Sequence, residues 1–164
     1  MALTPYCENA EVRAALGVNS IELPDAVLNL PIYQIGLVRE LNKVASSLPA
    51  SFSAANAKPS DQRTEAEKAL LDATKLFSAY ASARQVGVSL ASMMPKDVGD
   101  GKATVSRFAD APYKDTLARL EAMYLAARSS LLASLAELNQ TDIATAVTPI
   151  AFIAGKRSYD PVTG

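Results

Sequence analysis

Gly99-Asp100-Gly101-Lys102 is the stretch of this chain nearest to a chemical motif. Glycines before a lysine are how a backbone loop cradles phosphate. That loop also needs a glycine five positions before its Gly-Lys pair, where Lys96 stands, and a Ser or Thr after the lysine, where Ala103 stands. A strand should lead into it, and here a helical pattern does, so the stretch is expected to be a turn. Asp97 and Asp100 lack the alternating oxygen donors and closing glutamate of a calcium loop. Cys7 is the single cysteine and there is no histidine to take its proton. It is therefore expected to be a small packed side chain and not a nucleophile. Glu65, Glu67, Glu121 and Glu137 are expected on solvated helix faces, and Glu67 and Asp72 do not have the spacing of a di-metal bundle. No catalytic residue, cofactor or metal site can be nominated, and the expectation is a protein that is not an enzyme.

The elements that would carry such groups follow from composition. At 164 residues the chain is expected to form one folding unit with a real core. Hydrophobic content is 49% but aromatic content only 6%, so much of the core must be Ala, Leu and Val, which suits close helix contact. The net charge of -1 supplies no basic field to hold nucleic acid by counterion release. No run approaches the roughly 20 apolar residues that span a bilayer. Met1 to Tyr6 lack a basic residue followed by an apolar run, and with one cysteine the expectation is a soluble protein of a reducing compartment.

The spacing predicts an all-α fold with two long antiparallel helices, shorter N-terminal helices and an extended, β-prone C-terminal arm. Asn9–Leu16 reads as a short helix with Val12, Ala15 and Leu16 inward and Gly17 as its left-handed stop. Asp25–Leu30 forms a brief turn. Pro31 opens a helix to about Ser47, with Ile32, Ile35, Val38 and Leu41 inward and Arg39, Glu40 and Lys43 outward. Leu48–Pro59 reads as a loop pinned by Phe52. Asp61–Met94 is the first long helix, capped by Ser60, with one stripe through Ala66, Leu70, Ala73, Phe77, Tyr80, Arg84, Gly87 and Ala91. Arg84 is the misfit in it, while Gly87 and Ala91 are small enough to admit another backbone. Residues 104–108 suggest a short extended piece. The second long helix, Pro112 to about Asn139, carries Leu117, Leu120, Tyr124, Ala127, Leu131, Leu135 and Leu138 in steps of three and four. Leu70, Phe77, Leu117, Leu120, Tyr124, Leu131 and Leu135 are the expected seam between the pair. A helical domain over residues 1–140 is then followed by an arm over 141–164. Ile150, Phe152, Ile153 and Tyr159 would anchor that arm on another subunit by strand addition, although Pro149 limits pairing around it; the other possibility is that it folds back along the helices.

The opening Thr4-Pro5-Tyr6-Cys7, then Glu11 through Val18, Glu22-Leu23-Pro24-Asp25 and Leu30-Pro31-Ile32-Tyr33, resembles the N-terminal region of head–tail adaptor (connector) proteins of tailed bacteriophages. Asp100 through Phe108, shortly before Pro112-Tyr113, is similar to phage proteins of this kind as well. The resemblance implies a structural virion protein made in the host cytoplasm. It would form a homo-oligomeric ring, commonly of twelve copies, beneath the portal protein at the capsid vertex. DNA passes through the lumen without sequence-specific binding, and a tail or nozzle protein docks at the other end. It further implies that the C-terminal arm, with Ile150, Phe152, Ile153, Lys156, Arg157 and Tyr159, binds the portal. Two rivals belong to other classes: a small helical-bundle chaperone or regulatory binding module, and an enzyme using acidic or lysine side chains.

Overall fold

A helix made largely of Ala, Ser, Leu and Lys runs through the middle of the protein. In the computed structural model this helix, α5 (Glu65–Met93), is the element on which the others pack. The structure describes residues 5–93, 97–99, 104–106 and 110–146, with side chains over 5–89 and 114–139. The other elements are α1 (Asn9–Leu16), α2 (Asp25–Leu28), α3 (Pro31–Val44), α4 (Leu48–Ala57), a single 3-10 turn at Ser60–Gln62, β1 (Asp97–Gly99), β2 (Thr104–Ser106) and α6 (Asp110–Ala146). The described protein is thus helical, with one two-stranded antiparallel hairpin pairing Val98 with Val105 between α5 and α6.

Local chemistry explains most boundaries. Helix α1 begins in a reciprocal capping box between Glu8 and Glu11 and ends at Gly17, whose φ of 71° is the left-handed conformation that glycine adopts without strain. Asn19 and Glu22 build a second reciprocal arrangement in the following turn: the Asn19 side chain accepts from the Glu22 amide, and Glu22 accepts from the Asn19 amide. Proline sits in the first turn of both α3 and α4, where its missing N–H is no loss. The region expected as a loop is therefore the helix α4. Apart from Leu48 and Phe52 its residues are short, none is β-branched, and those two share a buried face with Ala55. Phe52 lies 5.0 Å from the Tyr6 ring and packs beside Leu71.

The long helix also starts later than its spacing suggests. Ser60 falls in the 3-10 turn, and the cap is Thr64: its hydroxyl accepts from the Glu67 amide while Glu67 accepts from the Thr64 amide. Helix α5 is buried on several sides, not along one stripe. Thr74, Ser78 and Ser82 are fully buried with Leu70, Phe77, Ala83 and Val86. Small hydroxyl residues read as polar in a periodicity, yet their size is what lets α1, α3, α4 and α6 all come close. Thr74 satisfies its hydroxyl on the Leu70 carbonyl at 2.7 Å.

Helix α6 lies antiparallel to α5, as successive contacts show: Gly87 near Leu117 and Leu120, Arg84 at Glu121, Phe77 against Tyr124. Leu120, Tyr124, Ala127, Leu131 and Leu135 are buried there, with Leu117 and Leu138 at the margins. Space at Gly87 is bounded by side chains and not by a neighbouring backbone. At its 37 residues α6 is about 55 Å long. It continues through Ile143 to Ala146, past the end that the leucine spacing suggested at Asn139.

The face of α3 differs from the expected one. Tyr33, Leu37 and Leu41 are buried, whereas Ile32, Ile35 and Val38 are 70%, 54% and 40% exposed. Both sides of this helix are apolar, so spacing alone could not choose between them. Tyr33, Leu37 and Leu41 form a row in steps of four that fits against α5, and Glu40 turns inward beside them.

Candidate functional site

Five side chains join α3, α5 and α6 where no single helix pattern foretold it. The Tyr124 hydroxyl donates to Glu40 Oε2 at 2.8 Å, and Lys43 donates to Glu40 Oε1 at 2.7 Å. Arg84 stacks its guanidinium 4.7 Å from the Tyr124 ring centre and pairs with Glu121 at 2.5 Å. This arrangement resolves Arg84, the misfit of the α5 stripe: its stem leaves the core and its charge covers an aromatic face. Burial works against the Glu40 carboxylate, but hydrogen bonds from Lys43 and Tyr124 outweigh it and hold the group below the usual carboxylate range. Burial, followed by the bond to Glu40, holds the Tyr124 phenol above its usual range. The junction fastens three helices.

Other candidates fall into place individually. Cys7 is 3% exposed, and burial pushes its thiol up to about 12, only partly offset by the neighbouring Ser82 hydroxyl. A thiol held protonated in this way is a packing group. Glu67 does not lie on a solvated face: it is buried at the start of α5, paired with Lys58, and held below the usual carboxylate range first by that contact and then by the Thr64 backbone. Glu65 is exposed and pairs with Lys68, and Glu121 is half-exposed on Arg84. Among the described residues no cluster of His, Cys, Asp and Glu could hold a metal ion. Gly99 ends β1, while residues 100–103 lie outside the described residues. Ile150, Phe152, Ile153, Lys156, Arg157 and Tyr159 lie outside them too. A shallow groove of about 300 Å³ between α1, α5 and α6 is lined by Ala14, Ala15, Leu76 and Ala79, with Glu11, Tyr80 and Arg119 around it.

The larger features are two uncovered helix faces. On α3 the outward face carries Ile32, Ile35 and Val38, with the exposed Arg39 among them. On α6 the outward positions from Ala122 to Ala136 are all Ala, Ser, Leu or Met, and the single charged residue in that span, Arg128, is half-buried. Leu125 and Leu132 are 53% and 40% exposed there. The outward side of α5, by contrast, carries Glu65, Lys68, Asp72 and Lys75. A helix that faces only water ordinarily carries such charges, and contiguous apolar surface marks an interaction site. The α6 face was legible in the sequence as a second, charge-free stripe about half a turn from the leucine seam.

Comparison with protein-family models, curated proteins and solved structures finds no match to this chain.

Proposed function

We propose that this protein is a structural assembly subunit, a head–tail adaptor that forms a ring beneath the portal of a tailed bacteriophage and joins the capsid vertex to the tail. The observation that carries the reading is the pair of unlike apolar faces, on α3 and on α6, that the subunit leaves uncovered. Rings are built from contacts between two different surfaces of one chain, because joining unlike patches head to tail is what allows rotation to close a circle. Of the residues that carry the resemblance, Glu11–Val18 form most of α1 and its Gly17 stop, and Leu30–Tyr33 open α3. The net charge of -1 suits a channel through which DNA slides without being gripped. In this reading the portal is bound by residues 147–164, which follow the end of α6 at Ala146.

The test is co-assembly. Full-length protein mixed with portal protein should co-elute as one large particle on size exclusion with light scattering. A variant lacking residues 147–164 should keep its circular dichroism and elute alone. A full-length protein that stays apart from the portal would instead favour the stand-alone binding module.

A further inference from the structure

Helix α4 is fastened differently from the rest of the molecule. Of its ten residues only Leu48, Phe52 and Ala55 are buried, and of these Leu48 alone belongs to the main core. Phe52 and Ala55 pack with Leu71 and the partly buried Tyr6 in a small cluster of their own. The stretch that follows Leu48 therefore rests on one large side chain, Phe52, and on the contacts at its far end. Its own helical tendency is slight. Ten residues fall below the roughly 12–15 at which even a favourable isolated helix is marginal in water, and Ser51, Ser53 and Asn56 compete with the helix for its backbone.

The far end is closed by side chains that reach across the connection to α5. Lys58, which follows the last turn of α4, pairs with the Glu67 carboxylate in the first turn of α5. Glu67 is buried there, and its other oxygen accepts from the Thr64 amide at 2.9 Å. Arg63, directly before the Thr64 cap, donates from Nε to the Lys58 carbonyl at 2.9 Å and from a terminal nitrogen to the Asn56 carbonyl at 3.0 Å. These are carbonyls that the end of a helix leaves without amide partners.

We infer that residues 49–63 are a strap that opens as a unit, turning about Leu48 and clasped by the Lys58–Glu67 pair, while α3, α5 and α6 stay folded. Opening uncovers Leu71 and the side of Tyr6 that Phe52 covers, an apolar patch that the closed protein conceals. Segments with little buried apolar surface and many solvent-exposed backbone hydrogen bonds open at lower free energy than the core around them. The exposure of Ser53, Ala54, Asn56 and Ala57 puts α4 in that class. The inference stands apart from the ring reading and needs no partner protein.

Hydrogen exchange followed by mass spectrometry on the full chain tests it. Below the urea range of unfolding, peptides from 49–57 should exchange faster than those from the buried middle of α5. Their rate should also depend less on urea, because opening the strap exposes less surface than unfolding the protein. Glu67→Gln keeps an oxygen for the Thr64 amide, since glutamine also serves in a capping box, but removes the charge that holds Lys58. It should speed exchange of 49–57 several-fold and leave α5 and α6 unchanged. Lys68→Gln breaks the exposed Glu65–Lys68 pair in the same part of α5 and should leave 49–57 unchanged. Phe52→Ala should speed the strap by about a hundredfold or more and lower helical circular dichroism by no more than the share of α4, because its cost cannot exceed that of opening the strap. The inference is overturned if α4 and α5 exchange with the same rate and urea dependence, if Glu67→Gln alters all helices alike or none, if Lys68→Gln speeds the strap as much as Glu67→Gln, or if Phe52→Ala unfolds the whole protein.

Discussion

Gly36→Ala and Gly87→Ala make the same chemical change in two helices and should act in opposite directions. In an open helix either would gain about 1 kcal/mol of helix propensity. At Gly87 the added Cβ would meet Leu16, Leu117 and Leu120 methyl carbons, each at 3.5 Å, which is ordinary contact. Gly87→Ala should therefore keep the gain and stabilise the protein by about 1 kcal/mol. At Gly36 the Cβ would lie 2.2 Å from Gln85 Oε1, 2.9 Å from its Cδ and 3.0 Å from its Nε2. The whole amide must move. Holding it off its rotamer costs about 0.5–1.5 kcal/mol, and each hydrogen bond it gives up costs about 1 kcal/mol more. The net effect should run from near zero to about 1.5 kcal/mol destabilising. Gln85→Ala removes the obstruction, and in that background Gly36→Ala should stabilise by about 1 kcal/mol. Urea unfolding followed by far-UV circular dichroism measures all four corners of the cycle. The reasoning is refuted if both glycine substitutions shift the midpoint equally, or if the Gly36 effect is the same with and without Gln85.

Three further outcomes follow from burial and charge. Leu131→Asp places a carboxylate where the wild-type side chain is fully buried and should unfold the protein, whereas Leu125→Asp on the exposed face of the same helix should leave the melting temperature nearly unchanged; similar melting for both would mean the α5–α6 seam is misplaced. Ser78 is fully buried with no hydrogen-bond partner for its hydroxyl among the described residues, so Ser78→Ala should raise stability by about 1 kcal/mol, and a loss would reveal a partner. The carboxyls of Asp25, Glu40 and Glu67 are held below their usual range, so folding favours their ionised forms; the stability they contribute is present above about pH 4 and is lost as pH falls through the folded values. Tyr124 and Cys7 are shifted upward, so their contribution holds at neutral pH and is lost on alkaline titration, for Cys7 toward about 12. With no histidine in the chain, the urea midpoint should be flat between about pH 6 and 8. A step in that window, or a midpoint that rises on acidification, would contradict these assignments.

What the sequence made legible is what local rules decide. Helix α1 and its glycine stop, the proline start of α3 and the unbroken leucine spacing of α6 each follow from near neighbours, and each is present. The rest depended on partners distant in the chain. Helix α4 looked like a loop because Ser, Asn and Pro are turn residues, yet the Tyr6 ring and Leu71 give Phe52 a reason to be helical. The buried side of α3 was settled by α5 and by Tyr124, 84 positions away from Glu40. Thr64 displaced Ser60 as the cap because Glu67 lies three residues ahead of it and pairs with Lys58. Serines buried in α5 count as polar in any periodicity, so a central helix read as one with a single inward stripe. As for the candidate surfaces, the charge-free side of α6 was visible in the letters, and the outward apolar residues of α3 emerged once the opposite face was known to be buried.

The central claim is that the apolar faces left outside this subunit are shared with copies of itself on a portal. The mass of the particle formed when purified protein meets purified portal protein, measured by native mass spectrometry, tests it most directly. The account predicts one closed species carrying a fixed multiple of this chain on each portal ring. A portal that retains its own mass beside a separate, solitary subunit would contradict it.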